Sequence, residues 1–266
     1  MTNRIHKTAI IGEKSTLGEN IEVGPYVIIE NGATVGDNCA IDSHAVIKKW
    51  VNLGSFSKVG HFSVLGGDPQ HLDFDPQCPS YLEIGKNCRF GEGVTIHRSM
   101  FPKKSTVVHD GTFLMGNAHV AHDCILGQNS ILANGVLLGG HVEVGSDVFV
   151  GGGAGIHQFV RLGNGCMIGG SAEISLDVGP QLLVMGRNQL IGLNRIGLKR
   201  RNCLDSELSK LKKLFRSLFG TSSNISVKAK LLLEKTEFSN SDITRDFLQF
   251  FIESKRGFAR ESRNSK

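Results

Sequence analysis

Hydrophobic residues recur every six positions through most of this chain. Between residues 114 and 156 the spacing is unbroken: Leu114, Val120, Leu126, Leu132, Leu138, Val144, Val150 and Ile156. Small or polar residues occupy most of the intervening positions. A period of six matches neither the 3.6 residues of an α-helix nor the two of a β-strand. It is typical of a solenoid in which every coil has three short faces, each turning one aliphatic residue inward, and it predicts a parallel β-helix.

The same period starts near the beginning of the chain and is interrupted once. It runs without a slip from Ile11 to Leu65 and resumes at Ile84, displaced by one residue. The segment between, residues 66–82, is rich in proline and aspartate, as turns are. We therefore predict a protruding loop at 66–82. Because the coil does not need such a loop, its presence points to a function.

Helical spacing replaces the six-residue period after Pro180. We predict a β-helix over residues 1–180 and a C-terminal α-helical domain over 181–266 that shields the open end of the coil. Within that domain we expect a short basic helix around 196–201, a helix capped by Asp205 and closed by Gly220, a third over Val227–Glu234 and a fourth starting near Ser241. The last residues, Glu261–Lys266, are expected to fray.

The composition indicates in which cellular compartment, and with what kind of partner, the protein is expected to work. No apolar run approaches the roughly 18 residues of a membrane span, and residues 1–10 do not resemble a secretory signal. The six cysteines lack Cys-x-x-Cys spacing, so we expect free thiols and a cytoplasmic protein. From Arg195 onward the chain has 17 Lys and Arg against 8 Asp and Glu. This basic segment suits an acidic partner, although solubilising charge explains it equally well. We expect no nucleic-acid partner.

Four histidines interrupt the repeat. If one coil takes about eighteen residues, as three hexapeptides do, position 122 lies under 140 and 140 under 158. His122, His141 and His157 then fall within one residue of a single column, with successive coils about 4.7–4.9 Å apart. His119 lies three residues before His122. The pattern predicts a shared edge of imidazoles.

Three hypotheses explain this edge. In the first, acyl transfer, His122 is a general base that takes a proton from an attacking hydroxyl or amine, Asp123 orients its ring, and a backbone N–H at Gly139-Gly140 stabilises the oxyanion. A glycine pair is also compatible with a tight corner, and Asp123 with a turn. Polar parts of the substrate would then contact His119, His141, His157 and Gln158.

The second hypothesis is a metal site of the carbonic anhydrase type. The His-x-x-His spacing of His119 and His122 would let a trimer share zinc across subunits. The third is a structural scaffold or binding module, in which the histidines only pack or face solvent. Stoichiometric zinc would favour the second hypothesis, and a lack of nucleotide binding would favour the third.

Several segments of the sequence resemble a known family. The run 117–124, Asn-Ala-His-Val-Ala-His-Asp-Cys, is similar to the active-site segment of UDP-N-acetylglucosamine O-acyltransferases, which carry out the first step of lipid A synthesis. Further matches occur at 93–98, 131–134, 154–159, 197–201 and 250–257. The resemblance covers nearly the whole chain. It is therefore far more specific than the six-residue period.

The resemblance implies a left-handed parallel β-helix, assembled as a homotrimer with sites between subunits. It implies an acyl-carrier-protein thioester as acyl donor, a UDP-sugar acceptor, and no metal or other cofactor. By resemblance His122 is the base, Asp123 its partner and Gly140 the oxyanion donor. Gly170 lies where a larger residue would shorten the acyl-chain pocket, which favours a long 3-hydroxyacyl chain. The remaining positions implied to contact substrate, nucleotide or the carrier arm are His119, His141, His157, Gln158, Asn194, Arg200 and Arg201.

One departure from the family pattern concerns the loop. The family commonly has Gln-Asp-Leu-Lys there, whose Asp and Lys contact the sugar, whereas this chain has Gln-His-Leu-Asp at 70–73. His71 and Asp73 are the matching positions. A carboxylate only accepts hydrogen bonds where an ammonium only donates them. The acceptor could therefore be a different nucleotide sugar, for example a 3-amino sugar that is N-acylated.

Overall fold

The protein is a β-helix of three parallel sheets followed by five helices. The structure, a computed structural model, describes residues 2–220, 224–253 and 256–260. We number its strands β1 to β28 in chain order. Most contain two residues, the first facing out and the second facing into the coil.

The first sheet is the longest and stacks one strand from every coil. From one end to the other it contains β1 (Arg4–Ile5), β4 (Glu22–Val23), β7 (Ala40–Ile41), β10 (Lys58–Val59), β13 (Arg89–Phe90), β16 (Phe113–Leu114), β19 (Ile131–Leu132), β22 (Phe149–Val150), β25 (Met167–Ile168), β27 (Leu182–Met185) and β28 (Gln189–Leu193). All its pairings are parallel except that of β27 with β28, which is antiparallel. The strands therefore continue past residue 180, through a hairpin that the six-residue period did not predict.

The second and third sheets form the other two faces of the coil. The second contains β2 (Ile10–Ile11), β5 (Ile28–Ile29), β8 (Val46–Ile47), β11 (Val64–Gly67), β14 (Thr95–His97), β17 (His119–Val120), β20 (Leu137–Leu138), β23 (Gly155–Ile156) and β26 (Glu173–Ile174). The third contains β3 (Thr16–Leu17), β6 (Thr34–Val35), β9 (Val51–Leu53), β12 (Tyr81–Ile84), β15 (Ser105–Val108), β18 (Ile125–Leu126), β21 (Glu143–Val144) and β24 (Arg161–Leu162).

Register confirms the coil length of 18 and reveals two insertions. Val120 pairs with Leu138, 18 residues further along. Leu53 pairs with Ile84, 31 residues along, because the loop between β11 and β12 is inserted there. Ile96 pairs with Val120, 24 residues along. The second insertion is thus one repeat long, and it leaves the hydrophobic period in phase, so the sequence pattern concealed it.

The aliphatic residues of the repeat fill the coil. Those spaced six apart are nearly all buried, as are Cys39, Cys88, Cys124 and Cys166, and all six cysteines are free thiols. Side chains alternate in and out along each short strand, so each face turns one strand residue inward, and the residue two positions before it is also buried at most corners. The core is therefore a column of Val, Ile and Leu that runs the length of the β-helix.

The C-terminal helices are α1 (Arg195–Arg200), α2 (Asp205–Phe219), α3 (Ile225–Leu233), α4 (Thr236–Ser239) and α5 (Asp242–Ile252). The role predicted for Asp205 as an N-cap is wrong. Leu204 holds that position and makes no side-chain capping bond, whereas Asp205 is the first helical residue, where its carboxylate interacts favourably with the helix dipole. The third helix starts earlier than predicted because Asn224 caps it through the N–H groups of Ser226 and Val227.

The helices pack on the last coils, as expected of a cap. Phe251 of α5 is buried, and a side chain at Gly179 would collide with its ring. Arg161 of β24 donates to the carbonyl of Phe250 at 3.2 Å. The end predicted to fray, residues 261–266, lies outside the described part of the chain. No helix among the described residues has the length and apolar character needed to cross a bilayer.

Candidate active site

The site forms where the second sheet turns into the third. His122 follows β17, and Asp123 occupies the corner with a left-handed backbone, φ 60°. Short polar residues such as aspartate tolerate that conformation better than most. The buried Thr106 hydroxyl accepts a hydrogen bond from the Asp123 N–H at 2.7 Å. Asp123 is thus both a turn residue and a partner of His122.

His122 and Asp123 are hydrogen bonded through Nδ1 and Oδ2 at 2.8 Å. Oδ1 of the carboxylate accepts from the Ser99 hydroxyl at 2.5 Å, and Oδ2 also accepts from the Met100 N–H at 3.0 Å. Burial alone would raise the pKa of Asp123, but the hydrogen bonds from His122, Ser99 and Met100 outweigh it and hold the pKa below its ordinary value. An ionised carboxylate only accepts, so Nδ1 donates this hydrogen bond, and in the neutral imidazole Nε2 is the nitrogen that can take up a proton.

Gly140 lies one coil above His122 and makes room for its ring. A Cβ at Gly140 would lie 2.8 Å from Cε1 and 2.9 Å from Nε2 of His122, closer than real side chains come. Among the described residues, the Gly140 N–H has no backbone hydrogen-bond acceptor. A glycine therefore lets the backbone at position 140 come close to the His122 ring, and its N–H, free of a backbone acceptor, is of the kind that an oxyanion donor requires.

Comparison with known proteins agrees with this geometry. Residues 177–259 match the family model described as "Udp N-acetylglucosamine O-acyltransferase; Domain 2", and residues 105–140 match "Bacterial transferase hexapeptide (six repeats)". An acyl-[acyl-carrier-protein]--UDP-N-acetylglucosamine O-acyltransferase from Campylobacter concisus is 33% identical over 95% of this chain and 96% of its own length. One from Aliarcobacter butzleri is 37% identical over 96% and 97%. The chain belongs to the UDP-N-acetylglucosamine O-acyltransferase family.

Solved structures place the fold in the same family. UDP-N-acetylglucosamine acyltransferase from Campylobacter jejuni superposes with a TM-score of 0.90 at 35% identity, covering 97% of this chain and 100% of that one. The enzyme from Francisella novicida gives a TM-score of 0.91 at 27% identity, covering 98% and 95%. The predicted left-handed β-helix, the family resemblance and the acyltransferase class are confirmed.

The predicted edge of imidazoles divides between two sides of the second sheet's corner. His141 lies against His122, with ring centroids 5.1 Å apart, and stacks on Phe159 at 4.4 Å. Burial lowers the pKa of His141, a shift that the Asp123 carboxylate opposes and His122 adds to. His119 and His157 instead line a cleft of about 510 Å³ on the outer face of that sheet. The predicted alignment of the histidines in one column was accurate to within one residue. A shift of one residue, however, turns a side chain to the other side of the corner.

Around the cleft, His119 is held by Thr95, whose hydroxyl lies 2.8 Å from Nδ1. Burial lowers the pKa of His119. His157 is exposed, with Nδ1 lying 3.1 Å from the carbonyl of Gln158, itself exposed. Gly170 is exposed at the opposite corner of the sheet, where a Cβ would lie 3.4 Å from the Gly152 carbonyl, so a side chain has room there. The substrate-binding roles stay predictions.

The other predicted contact residues lie apart from this pair. His71 and Asp73 are exposed on the loop. The buried Asn194 side chain caps α1 by accepting from the Gly197 N–H at 3.0 Å. Arg200 is exposed, and Arg201 donates to the side chain of Gln181. In the isolated chain these five positions do not converge on His122.

One group of three potential metal ligands occurs in the described part of the chain. His122, Asp123 and His141 each offer one ligand atom within 4.8 Å of the others, whereas His119 is not part of the group. Two imidazoles and a carboxylate suit zinc. The 2.8 Å between His122 and Asp123 is the length of a hydrogen bond. The arrangement therefore matches a proton-transfer pair without any metal ligand being needed.

Sequence reasoning assigned no role to His97, Arg98 and Ser99. The first two end the family-like segment at 93–98, and Ser99 follows it directly. His97 packs edge-on against His119, 4.9 Å between centroids, and burial together with His119 and His122 lowers its pKa to about 4. Ser99 binds Asp123 directly. The one-repeat insertion would have pointed to these residues, but the hydrophobic period continues unbroken across it and so concealed it.

Proposed function

We propose that this protein transfers a 3-hydroxyacyl chain from acyl carrier protein to the 3-hydroxyl of UDP-N-acetylglucosamine, the first step of lipid A synthesis. The observation that carries the proposal is the His122–Asp123 hydrogen bond, with the backbone of Gly140 lying close to the His122 ring. Relatives sharing about a third of the sequence over the full length are named for these two substrates. Our proposal extends that activity to this chain.

In the proposed reaction, Nε2 of His122 removes the proton from the sugar hydroxyl as its oxygen attacks the thioester carbonyl. Asp123 stabilises the imidazolium that forms, and the Gly140 N–H donates to the oxyanion. When the C–S bond breaks, the imidazolium returns its proton to the leaving thiolate. The products are the sugar ester and the free thiol of the carrier, and no other reagent is consumed.

Substrate and carrier contacts belong to the same proposal. His119, His157 and Gln158 would hold polar parts of the substrate along the cleft, with His141 beside the base. Acyl carrier protein would approach the basic segment from Arg195 onward, where opposite charge steers association. We further propose a homotrimer, in which a neighbouring subunit would bring Asn194, Arg200 and Arg201 towards the site. Six free cysteines suit a reducing compartment such as the cytoplasm.

A second acceptor is favoured by one observation. His71 and Asp73 lie together on the loop, with Nδ1 of His71 4.0 Å from Oδ2 of Asp73 and hydrogen bonded to the Asp73 N–H at 3.2 Å. The loop therefore presents a carboxylate and an imidazole where the family pattern presents a carboxylate and an ammonium. Such a loop would suit an acceptor that brings its own cation, and a 3-amino sugar nucleotide has one.

The deciding experiment is a mass-spectrometric acylation assay that pairs UDP-sugars with carrier-linked acyl chains. Wild-type protein should acylate a UDP-sugar, and His122→Ala should lower turnover by about 10²–10⁴-fold while the protein still folds. Near-normal turnover by His122→Ala would remove the general-base assignment. Turnover that depends on stoichiometric metal would favour the metal hypothesis instead.

A further inference from the structure

The carboxylate of Asp123 is held by the one-repeat insertion as well as by His122. Ser99 and Met100 both belong to that insertion, and each donates one hydrogen bond to Asp123. The Asp123 side chain is only 11% exposed, so protein donors rather than water satisfy most of its acceptor positions. The insertion therefore supplies two of the three donors that surround this carboxylate.

Ser99 has its hydroxyl proton aimed at Asp123. The Phe101 N–H donates to Ser99 Oγ at 3.0 Å, and the Phe101 carbonyl, at 3.4 Å, is a distant alternative acceptor. The Asp123 oxygen lies much closer, at 2.5 Å. Since Ser99 is fully buried, its single proton has no water to turn to. A serine with its acceptor side occupied donates in one direction.

The neighbouring residue, Arg98, fixes the same insertion to the loop at 66–82. Its guanidinium is fully buried and donates to Asp68 Oδ1 at 2.9 Å, the Cys78 carbonyl at 2.5 Å and Ser80 Oγ at 2.8 Å. Ser80 Oγ in turn donates to the carbonyl of Ser99 at 2.5 Å. Arg98 and Ser99 thus have opposite tasks: one binds the loop, and the other binds Asp123.

We propose that Ser99 is a positioning residue that orients Asp123 towards His122, and that Arg98 fixes Ser99 in place by tying the insertion to the loop at 66–82. This inference rests on the proposed role of His122 as base. Ser99 contacts neither ring nitrogen of His122. It acts only through the carboxylate, whose orientation determines which nitrogen of His122 keeps the proton.

Ser99→Ala tests the proposal by its effect on pH dependence. The variant should lower kcat by about tenfold, the scale of one hydrogen bond to a charged group, with a smaller change in KM. The positive end of the hydroxyl dipole faces the pair. Its loss should therefore raise the apparent pKa of the coupled pair and move the acid limb of the kcat/KM profile up by about half a unit. The other titratable groups around the pair, His141, His97 and Cys124, are unchanged in the variant.

A double-mutant cycle separates this role from general stability. If Ser99 acts through the carboxylate, Ser99→Ala should cost little more in an Asp123→Asn background. Additive losses and an unshifted pH profile would overturn the proposal. Ser99→Cys keeps a side chain of similar size but replaces the hydroxyl by a weak S–H donor. It should lower kcat as Ser99→Ala does, and it therefore tests the role of Ser99 even if the alanine variant folds poorly.

Two controls complete the design. Ser130 is also fully buried and donates to the Gly145 carbonyl at 2.7 Å, away from the pair, so Ser130→Ala should leave the pH profile unchanged. His122→Ala reports on the proposed function. If that variant is inactive while Ser99→Ala is indistinguishable from wild type, only the role of Ser99 is refuted. If His122→Ala remains active, the base assignment itself fails.

Discussion

Arg98→Met should loosen the loop at 66–82 while sparing the β-helix. Methionine keeps a long apolar side chain beside the rings of Trp50 and Phe74, whose centroids lie 4.7 and 4.8 Å from the guanidinium carbon of Arg98. It removes every hydrogen bond that the guanidinium makes. The loop then loses its contact with Arg98, the one fully buried cation in the described part of the chain, and it opens more easily.

The magnitude follows from the acceptors that remain. The Cys78 carbonyl and Ser80 Oγ lose a donor, at about 1 kcal/mol each. The Pro76 carbonyl also accepts from the guanidinium, at 2.9 Å, but after the substitution it keeps the Lys49 ammonium as a donor at 3.1 Å. Asp68, 39% exposed, can turn to water, so its ion pair adds little. A total of about 2 kcal/mol raises the open population about thirtyfold, since about 1.4 kcal/mol corresponds to a factor of ten.

Native-state proteolysis measures this population. Chymotrypsin should cut after Phe74, and while reclosing is fast the cleavage rate tracks the fraction of open loop. The matched control is Arg245→Met, because Arg245 pairs with Asp242 at the surface, where an ion pair contributes little. Cleavage of Arg98→Met within about threefold of the wild-type rate would refute the reasoning, given the thirtyfold rise worked out from the lost bonds.

Three further changes test the site. Gly140→Ala should push the His122 ring out of position and lower kcat by roughly 10²-fold with thermal stability nearly unchanged; wild-type turnover would contradict the close packing. His97 is neutral in the fold with a pKa of about 4, whereas the unfolded chain takes up a proton near pH 6.5. Stability should therefore fall as the pH drops from about 6.5 to about 4, less steeply in His97→Gln, and equal slopes in thermal unfolding would count against this. Asp73→Lys should shift acceptor preference towards UDP-N-acetylglucosamine in the acylation assay, and an unchanged substrate profile would dissociate the loop from acceptor choice.

The coil could be predicted because its period is a direct consequence of its geometry. The inward aliphatic residue on each face was enough to predict the strands, the loop and the residues stacked next to His122 on the following coils. The extra hairpin of β27 and β28 was missed because it leaves that period. The short helix α4 was missed because four residues give no helical periodicity. The cap of α2 was misplaced by one residue, since Leu204 carries no side-chain signal.

The site was only partly predictable for a different reason. His122 and Asp123 are adjacent in sequence, and Gly140 follows from coil length. Ser99, in contrast, reaches Asp123 from an insertion whose length equals one repeat. Such an insertion leaves the six-residue period in phase, so the period alone cannot tell a bulge from an ordinary face of the coil. Arg98 is charged but fully buried, so a pattern of hydrophobic positions wrongly assigns it to the surface. Contacts between an insertion and a corner are visible only in three dimensions.

The two ends of the β-helix differ in a way that bears on self-association. At the C-terminal end the hairpin and helices cover the final strands, and isolated bridges such as Asp177 with Phe258 continue the cover. At the other end β1, β2 and β3 are outermost in their sheets within the described residues. Each exposes a strand of only two residues, and the first carries the charge of Arg4. Fibre growth by stacking needs long, flat, uncharged templates, so even the uncovered end of this molecule is a poor seed.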